Sequence, residues 1–334
     1  MLQENENRLR PPKIIQTLVE GFNLIASHPY LMLFPLALDA LFWFGPFYRI
    51  KDLLSPMVNE MMQSLATTLV NSEALPSLDV IKASWDQLLT HFNLLSTLRT
   101  YPIGIPSLLA GKGFTSNPLG SPMIFEIGSS SAAFNMVMVC VFLGLLLGGI
   151  YYALISNLVV KDSQGDPRST ILHSISQTFV FFLLLLAILI ILSIPVLCFL
   201  SSISVFIPTM GTVPLLILGL VLMWVLLPLV FTPQGIFVKQ LSAVKAISLS
   251  SKFVRISSLA TTFFLTIAVS LSYGLDLLWT TPASDSWLLG LGIIGHAFVS
   301  SGILAATFIY FRDGTHWMEE IIKLGPQNIN GTNL

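Results

Sequence analysis

Residues 179–201 read Phe-Val-Phe-Phe-Leu-Leu-Leu-Leu-Ala-Ile-Leu-Ile-Ile-Leu-Ser-Ile-Pro-Val-Leu-Cys-Phe-Leu-Ser. No charge interrupts the run, and its only helix-unfriendly residue is Pro195. About 20 consecutive apolar residues suffice to carry a helix across ~30 Å of hydrocarbon. A helix apolar on every side has no face for water, so this stretch predicts a transmembrane span. Working outward, five more stretches meet the same test: Pro29–Phe47, Ala132–Leu158, Val213–Val230, Leu259–Trp279 and Trp287–Tyr310. The fourth in chain order carries Pro214 and Pro228 near its ends, where lost backbone bonds cost least. The fold expected is an all-α integral membrane protein with six transmembrane helices.

Composition agrees. Hydrophobic residues make up 54% of the 334 and charged residues 10%, against roughly 25% charged in soluble domains. The mean hydropathy is +0.81. Sixteen basic and 17 acidic residues leave a net charge of −1, which excludes the basic footprint of a nucleic-acid binder. Cys140 and Cys198 both lie in apolar runs and are expected to be buried thiols. Arg8, Arg10 and Lys13 precede His28 without an apolar core, so no cleavable signal peptide is visible.

An even number of spans puts both ends of the chain on one side. That side holds Arg8, Arg10, Lys13, Lys161, Arg168, Lys239, Lys245, Lys252, Arg255, Arg312 and Lys323. The other side holds Arg49, Lys51, Lys82, Arg99 and Lys112. The positive-inside rule then predicts a multi-pass protein of the cytoplasmic (inner) cell membrane with both termini in the cytoplasm.

Each odd-numbered span follows a short amphipathic stretch on the cytoplasmic side: Ile14 to Phe22, Thr170 to Phe179 and Val244 to Phe253. Each even-numbered span ends on a cation, at Lys161, Lys239 and Arg312, 78 and 73 residues apart. The unit suggested is an interfacial helix leading a two-span hairpin, used three times, and such repeats often place a site at their interface. Four regions result: 1–50 with the first span, an extracytoplasmic insertion over 51–126, spans two to six over 127–312, and a cytoplasmic tail over 313–334.

The insertion carries two helical stripes. Leu78, Ile81, Trp85, Leu88, Phe92 and Leu95 recur in steps of three and four, as do Leu54, Val58, Met61, Leu65 and Leu69. Asn71, Ser72, Glu73 and Pro76 separate them, which predicts a helical hairpin with an apolar face for its own spans, lipid headgroups or a membrane-protein partner. Gly104 and Gly111-Lys112 resemble a phosphate loop only superficially. Six residues rather than four intervene, and Gly113 stands where Ser or Thr is required.

No zinc motif, nucleophile elbow or dinucleotide fingerprint is present, and no catalytic residue, metal or cofactor is expected. His28 and His173 fall at the cytoplasmic interface, His91 in the insertion and His316 in the tail, leaving His296 deep in a span. Asp39 is the deep carboxylate, whereas Asp276 sits near the anchor Trp279 and Glu126 just before the second span. Counting from Pro29 and from Trp287 puts Asp39 and His296 at similar depth, so an intramembrane polar pair is expected. Gly144 with Gly148, and Gly292, Gly295 and Gly302, give the small-residue spacing of close helix packing.

Ala246-Ile247-Ser248-Leu249-Ser250-Ser251-Lys252, with His28-Pro29, Pro35 and Asp39, carries a family likeness. The chain resembles the membrane domain found beside some glycerophosphodiester phosphodiesterases, and related uncharacterised six-span bacterial proteins. The likeness is topological, and with no phosphodiesterase domain attached it implies no hydrolase activity. The function expected is a non-catalytic scaffold, assembly factor or subunit of a membrane complex. The alternatives are a carrier for a lipid or other apolar solute, and a pigment- or haem-binding subunit using His296.

Overall fold

The computed structural model describes residues 11–68, 75–114, 116–160, 167–206 and 213–324. The principal helices are α1 (Ile14–Ser27), α2 (Leu33–Phe44), α3 (Lys51–Thr68), α4 (Leu75–His91), α5 (Ser130–Val159), α6 (Pro167–Phe206), α7 (Val213–Leu226), α8 (Thr232–Val238), α9 (Ala243–Ile256), α10 (Ser258–Trp279) and α11 (Leu288–Leu324). Three-residue strands β1 (Phe47–Arg49) and β2 (Ile124–Glu126) form one parallel pair. Among the described residues, five helical stretches are long and apolar enough to cross a membrane, over 130–159, 171–199, 216–238, 258–279 and 288–323. A sixth exists only if α1 and α2, bent by 91° at the His28–Pro29 break, count together.

That bend stands at the head of the expected first span. Pro29 supplies no backbone N–H, and residues 29–32 form a 3-10 turn. Together with that turn, the 12-residue helix α2 covers about 26 Å, short of ~30 Å. The preceding amphipathic stretch does not stay apart from the bundle either. Helix α1 runs antiparallel to α11, where Gly21 brings its backbone so close that a Cβ would stand 2.6 Å from the Ala306 nitrogen. Phe22 stacks on Phe298 at a centroid distance of 5.6 Å.

The other two amphipathic stretches differ from this and from each other. Residues 170–179 continue without a break into α6, whereas α9 is separated from α10 at Ser257. The region assigned to the tail is helical as far as Leu324, as an extension of α11. Met318 joins Leu18 of α1 and Phe253 of α9 in a shared apolar cluster, so burial holds this extension in place. Arg8, Arg10, Lys161 and the hairpin turn at Asn71 to Glu73 lie outside the described residues.

The largest core cluster surrounds Tyr151, Phe181, Phe308 and Ile103. It joins α5, α6 and α11 to a segment of the insertion. At one end of the bundle, here called the basic end, Lys239 and Arg312 stand together. At the opposite end Trp43, Trp287 and Trp279 cluster beside the insertion. Strands β1 and β2 close the insertion's neck. Arg49 faces Glu126 in register, with an ion pair at 2.5 Å and Tyr48 stacked on Phe125.

Helices α3 and α4 pack as a hairpin. The buried contacts are Val58, Met62 and Leu89, with Leu54 and Trp85 packed beside them. The expected stripe is therefore split. Trp85 turns into the hairpin while Ile81 and Leu88 are exposed, as are Met61 and Leu65 on α3. Leu78 lies within α4, and Phe92 and Leu95 follow it, half-buried. The hairpin consumes one edge of its stripe internally and leaves the other edge bare.

Candidate functional site

Two regions concentrate polar groups. The first is built where the insertion enters the bundle. After a 3-10 turn over Leu94–Leu98, the chain passes between α2 and α5. Gly148 permits this, because a Cβ there would stand 2.7 Å from the Cα of Gly104. Gly144 faces the Leu98 carbonyl and the Thr100 methyl in the same way. Tyr152 of α5 donates its hydroxyl to the Pro102 carbonyl at 3.2 Å. Such an irregular backbone within a bundle is tolerated only where protein satisfies its polar groups.

Asp39 supplies the main satisfaction. It is fully buried on α2. Its Oδ1 accepts from the Ser107 hydroxyl at 2.5 Å and from the Leu109 N–H at 3.0 Å, and its Oδ2 accepts from the Leu108 N–H at 3.1 Å. Ser107 Oγ accepts in turn from the Ala110 N–H at 2.9 Å. One carboxylate thus closes a turn 68 to 70 residues along the chain.

The expected Asp39–His296 pair is replaced by two separate arrangements. His296 Nδ1 lies 2.6 Å from Asp276 Oδ1, so it is the ring donor and the carboxylate accepts. Asp39 stays within electrostatic range of His296 but spends its oxygens on the insertion. The physical reason is that the inserted segment supplies Asp39 with three hydrogen-bond donors, which leaves His296 to Asp276. The hairpin register also matters. Trp279 packs against Gly292 and Gly295, which draws Asp276 level with His296.

His296 Nε2, Ser300 Oγ and Trp279 Nε1 are buried without a partner. Nε2 is the atom a haem iron would need. It has no exposed surface, and a macrocycle would have to part the packed helices to reach it. Nearby, outside the spans, partial burial holds the Lys112 ammonium below its ordinary range, against the pull of Asp276 and Asp39, with Arg99 adding to the depression. The glycines singled out in α11 do provide close approach: Gly292 and Gly295 to Trp279, and Gly302 to the Phe22 ring.

The second region is an open cavity of about 970 Å³ at the basic end. Four elements meet there: the last turns of α1, the end of α5, the end of α8 and the middle of α11. Leu24, Leu158, Val238 and Ile309 give it apolar walls, while Asn23, Ser27, His28, Asn157, Lys239, Arg312 and His316 supply polar groups. Arg312 donates through Nε to Asp313 at 2.7 Å and through Nη1 to the Val159 carbonyl at 2.9 Å. The second bond satisfies one of the four carbonyls left open at the end of α5. It also fixes the guanidinium, with Nη2 unpartnered among the described residues. Lys239 reaches Glu319 at 3.2 Å. His28 Nδ1 contacts the Leu24 carbonyl at 3.0 Å, which makes it the donor and leaves Nε2 for another partner.

Comparison of the chain with protein-family models, with curated proteins and with solved structures gives no match.

The residues that sequence reasoning missed carried weak signals. Ile103 to Ala110 contains only Ser107 as a polar side chain, an odd composition for a loop in water. That apolarity was the sign of a segment entering the bundle. The cavity had no such sign, because its members lie between residues 20 and 316 and no short motif connects them.

Proposed function

We propose that this protein is a non-catalytic membrane protein that holds an amphiphile at its cytoplasmic face, in the manner of a lipid carrier or lipid-binding component. On this reading the bent pair α1–α2 makes the first of six crossings, both termini lie in the cytoplasm, and the basic end faces inward. The observation that carries it is the open cavity with apolar walls and a mouth holding Lys239, Arg312, His28 and His316. Apolar walls bind chains, and a few placed polar groups orient a head. The cations also stand where anionic lipids of a cytoplasmic leaflet would lie.

A second reading, a subunit or scaffold of a membrane complex, rests on a different observation. Only 6% of the most apolar window of α6 is buried within the chain, and the hairpin leaves Ile81 and Leu88 bare. Gentle purification followed by mass spectrometry of everything retained separates the two. A stoichiometric lipid that is lost on Lys239→Gln supports the first reading. A stoichiometric protein with no retained lipid overturns it in favour of the second. The orientation has its own test, since a cysteine at Ser242 should label from the cytoplasm and one at Ser64 only from outside.

A further inference from the structure

A second cavity lies deeper along the same elements. It is a groove of about 360 Å³ between α2, the inserted segment and α5, lined by Leu33, Leu38, Leu41, Leu98, Ile105 and Leu147. Its lining contains no charged or hydrogen-bonding side chain. The two cavities share a frame. His28 in the first and Leu33 in the second stand on either side of the α1–α2 bend. On α5, Asn157 and Leu147 are ten residues apart, about 15 Å along the axis. The polar cavity and the apolar groove thus stand about 15 Å apart along α5, with Tyr30 exposed on the turn between His28 and α2 and Leu33 exposed where α2 begins.

Resting on the reading above, we infer that the two cavities bind one phospholipid, its phosphodiester at Arg312 and Lys239 and one acyl chain in the α2–α5 groove. Arg312 is pre-set for this by its bond to Val159, which among the described residues leaves Nη2 open to a phosphate oxygen. Glu20 stands on the same wall and Glu319 already engages Lys239. Asp313 likewise engages Arg312, so carboxylates offset both cations, which suits a singly charged diester better than free phosphate. The groove differs from an ordinary lipid-facing furrow in lying next to a fixed headgroup site, so the chain is held at one end.

The test uses the full chain in mild detergent, with retention of added ligand read by native mass spectrometry. Three probes are compared: palmitoyl lysophosphatidylethanolamine, its caproyl analogue, and monopalmitoylglycerol, which lacks the phosphate. The palmitoyl phospholipid should be retained roughly tenfold better than either of the others. Lys239→Gln should remove its advantage over monopalmitoylglycerol. Leu147→Trp, which fills the groove, should remove its advantage over the caproyl analogue and leave caproyl binding unchanged. Ala37→Phe fills the groove from α2 and serves if Leu147→Trp does not fold. Chain-length preference that survives both groove variants overturns the groove assignment while the headgroup site stands. Indifference to the phosphate overturns the amphiphile reading itself. Equal retention of all three probes means annular lipid only and overturns both.

Discussion

Helices α5 and α6 are both long and apolar enough to cross a membrane, yet they sit in the molecule in opposite ways. The most apolar window of α6 has a mean hydropathy of 3.2 and is 6% buried, whereas that of α5 has 2.3 and is 50% buried. The more apolar helix is the less buried one. In water this would be paradoxical, but in lipid there is no hydrophobic force pressing one apolar helix on another. Association then depends on close backbone approach and on hydrogen bonds. Helix α5 has the residues for both: Gly144, Gly148 and Gly149, then Tyr151, Tyr152 and Ser156. Helix α6 has no glycine over its 40 residues. Hydropathy says which segments leave water, and small and polar residues say which of them form the core.

The sharpest way to break this contrast is to remove the polar contact that anchors the inserted segment against α2 and α5. Asp39→Ala strands the Ser107 hydroxyl and the N–H groups of Leu108 and Leu109 in a buried setting. Each lost partner costs about 1–3 kcal/mol. The expected loss is therefore about 3 kcal/mol or more, measured as denaturation in detergent, with heightened proteolysis between residues 94 and 113. Unchanged stability would mean that the insertion does not depend on the carboxylate.

A somewhat smaller effect is expected from the glycines. Gly148→Leu forces a side chain into the Gly104 backbone, and overpacking of this kind costs about 1–3 kcal/mol. Gly219→Leu on α7 has no atom within 4 Å of its new Cβ and should leave the thermal transition where it was. Equal destabilisation by both would erase the distinction between core and peripheral helices.

The sequence showed which helices are long and apolar enough for hydrocarbon, because a long apolar run is a local property. It showed the hairpin as well, since the stripes of α3 and α4 are local. What it hid follows from non-local geometry. The 91° break at His28–Pro29 leaves no mark in an apolar count, and the partner of Asp39 lies 68 residues away. Asp276 was judged by its neighbour Trp279, yet that tryptophan's seat on Gly292 and Gly295 is what brings Asp276 to His296. Of the candidate site, the individual residues were visible and their pairing was not. The cavity at the basic end was illegible for the same reason, since four elements from distant parts of the chain meet there.

The Asp276–His296 contact tests whether polar bonds add to small-residue packing between α10 and α11. Asp276→Asn and His296→Gln should each destabilise the protein, and the double variant should cost less than their sum. Interhelical hydrogen bonds in membranes contribute about 0.6 kcal/mol on average, with a maximum near 1.7. A coupling in that range is expected from the cycle. The corresponding cycle between Asp39→Asn and His296→Gln should give a smaller coupling, because no hydrogen bond joins that pair. The reverse ranking would restore the pairing expected from depth alone.

The smallest effect belongs to the bare face of α6. Leu183 is 62% exposed and Ile191 69% exposed. If lipid covers this face, replacing either by Ala exchanges contacts with acyl chains for other contacts with acyl chains. The folded protein then loses almost nothing, within about 0.5 kcal/mol, as for ordinary surface positions. If another protein covers it, the same side chains are interface contacts, and burial of each is worth ~1.5–3 kcal/mol. The experiment is to compare Leu183→Ala and Ile191→Ala with the parent in both thermal stability and co-purifying proteins. The expected outcome is no change in either, which is what a lipid-covered face should show. Loss of a stoichiometric protein from the purified material would show that α6 is half of an interface. Its low burial within the chain would then mark a partner's place and not a lipid-facing surface.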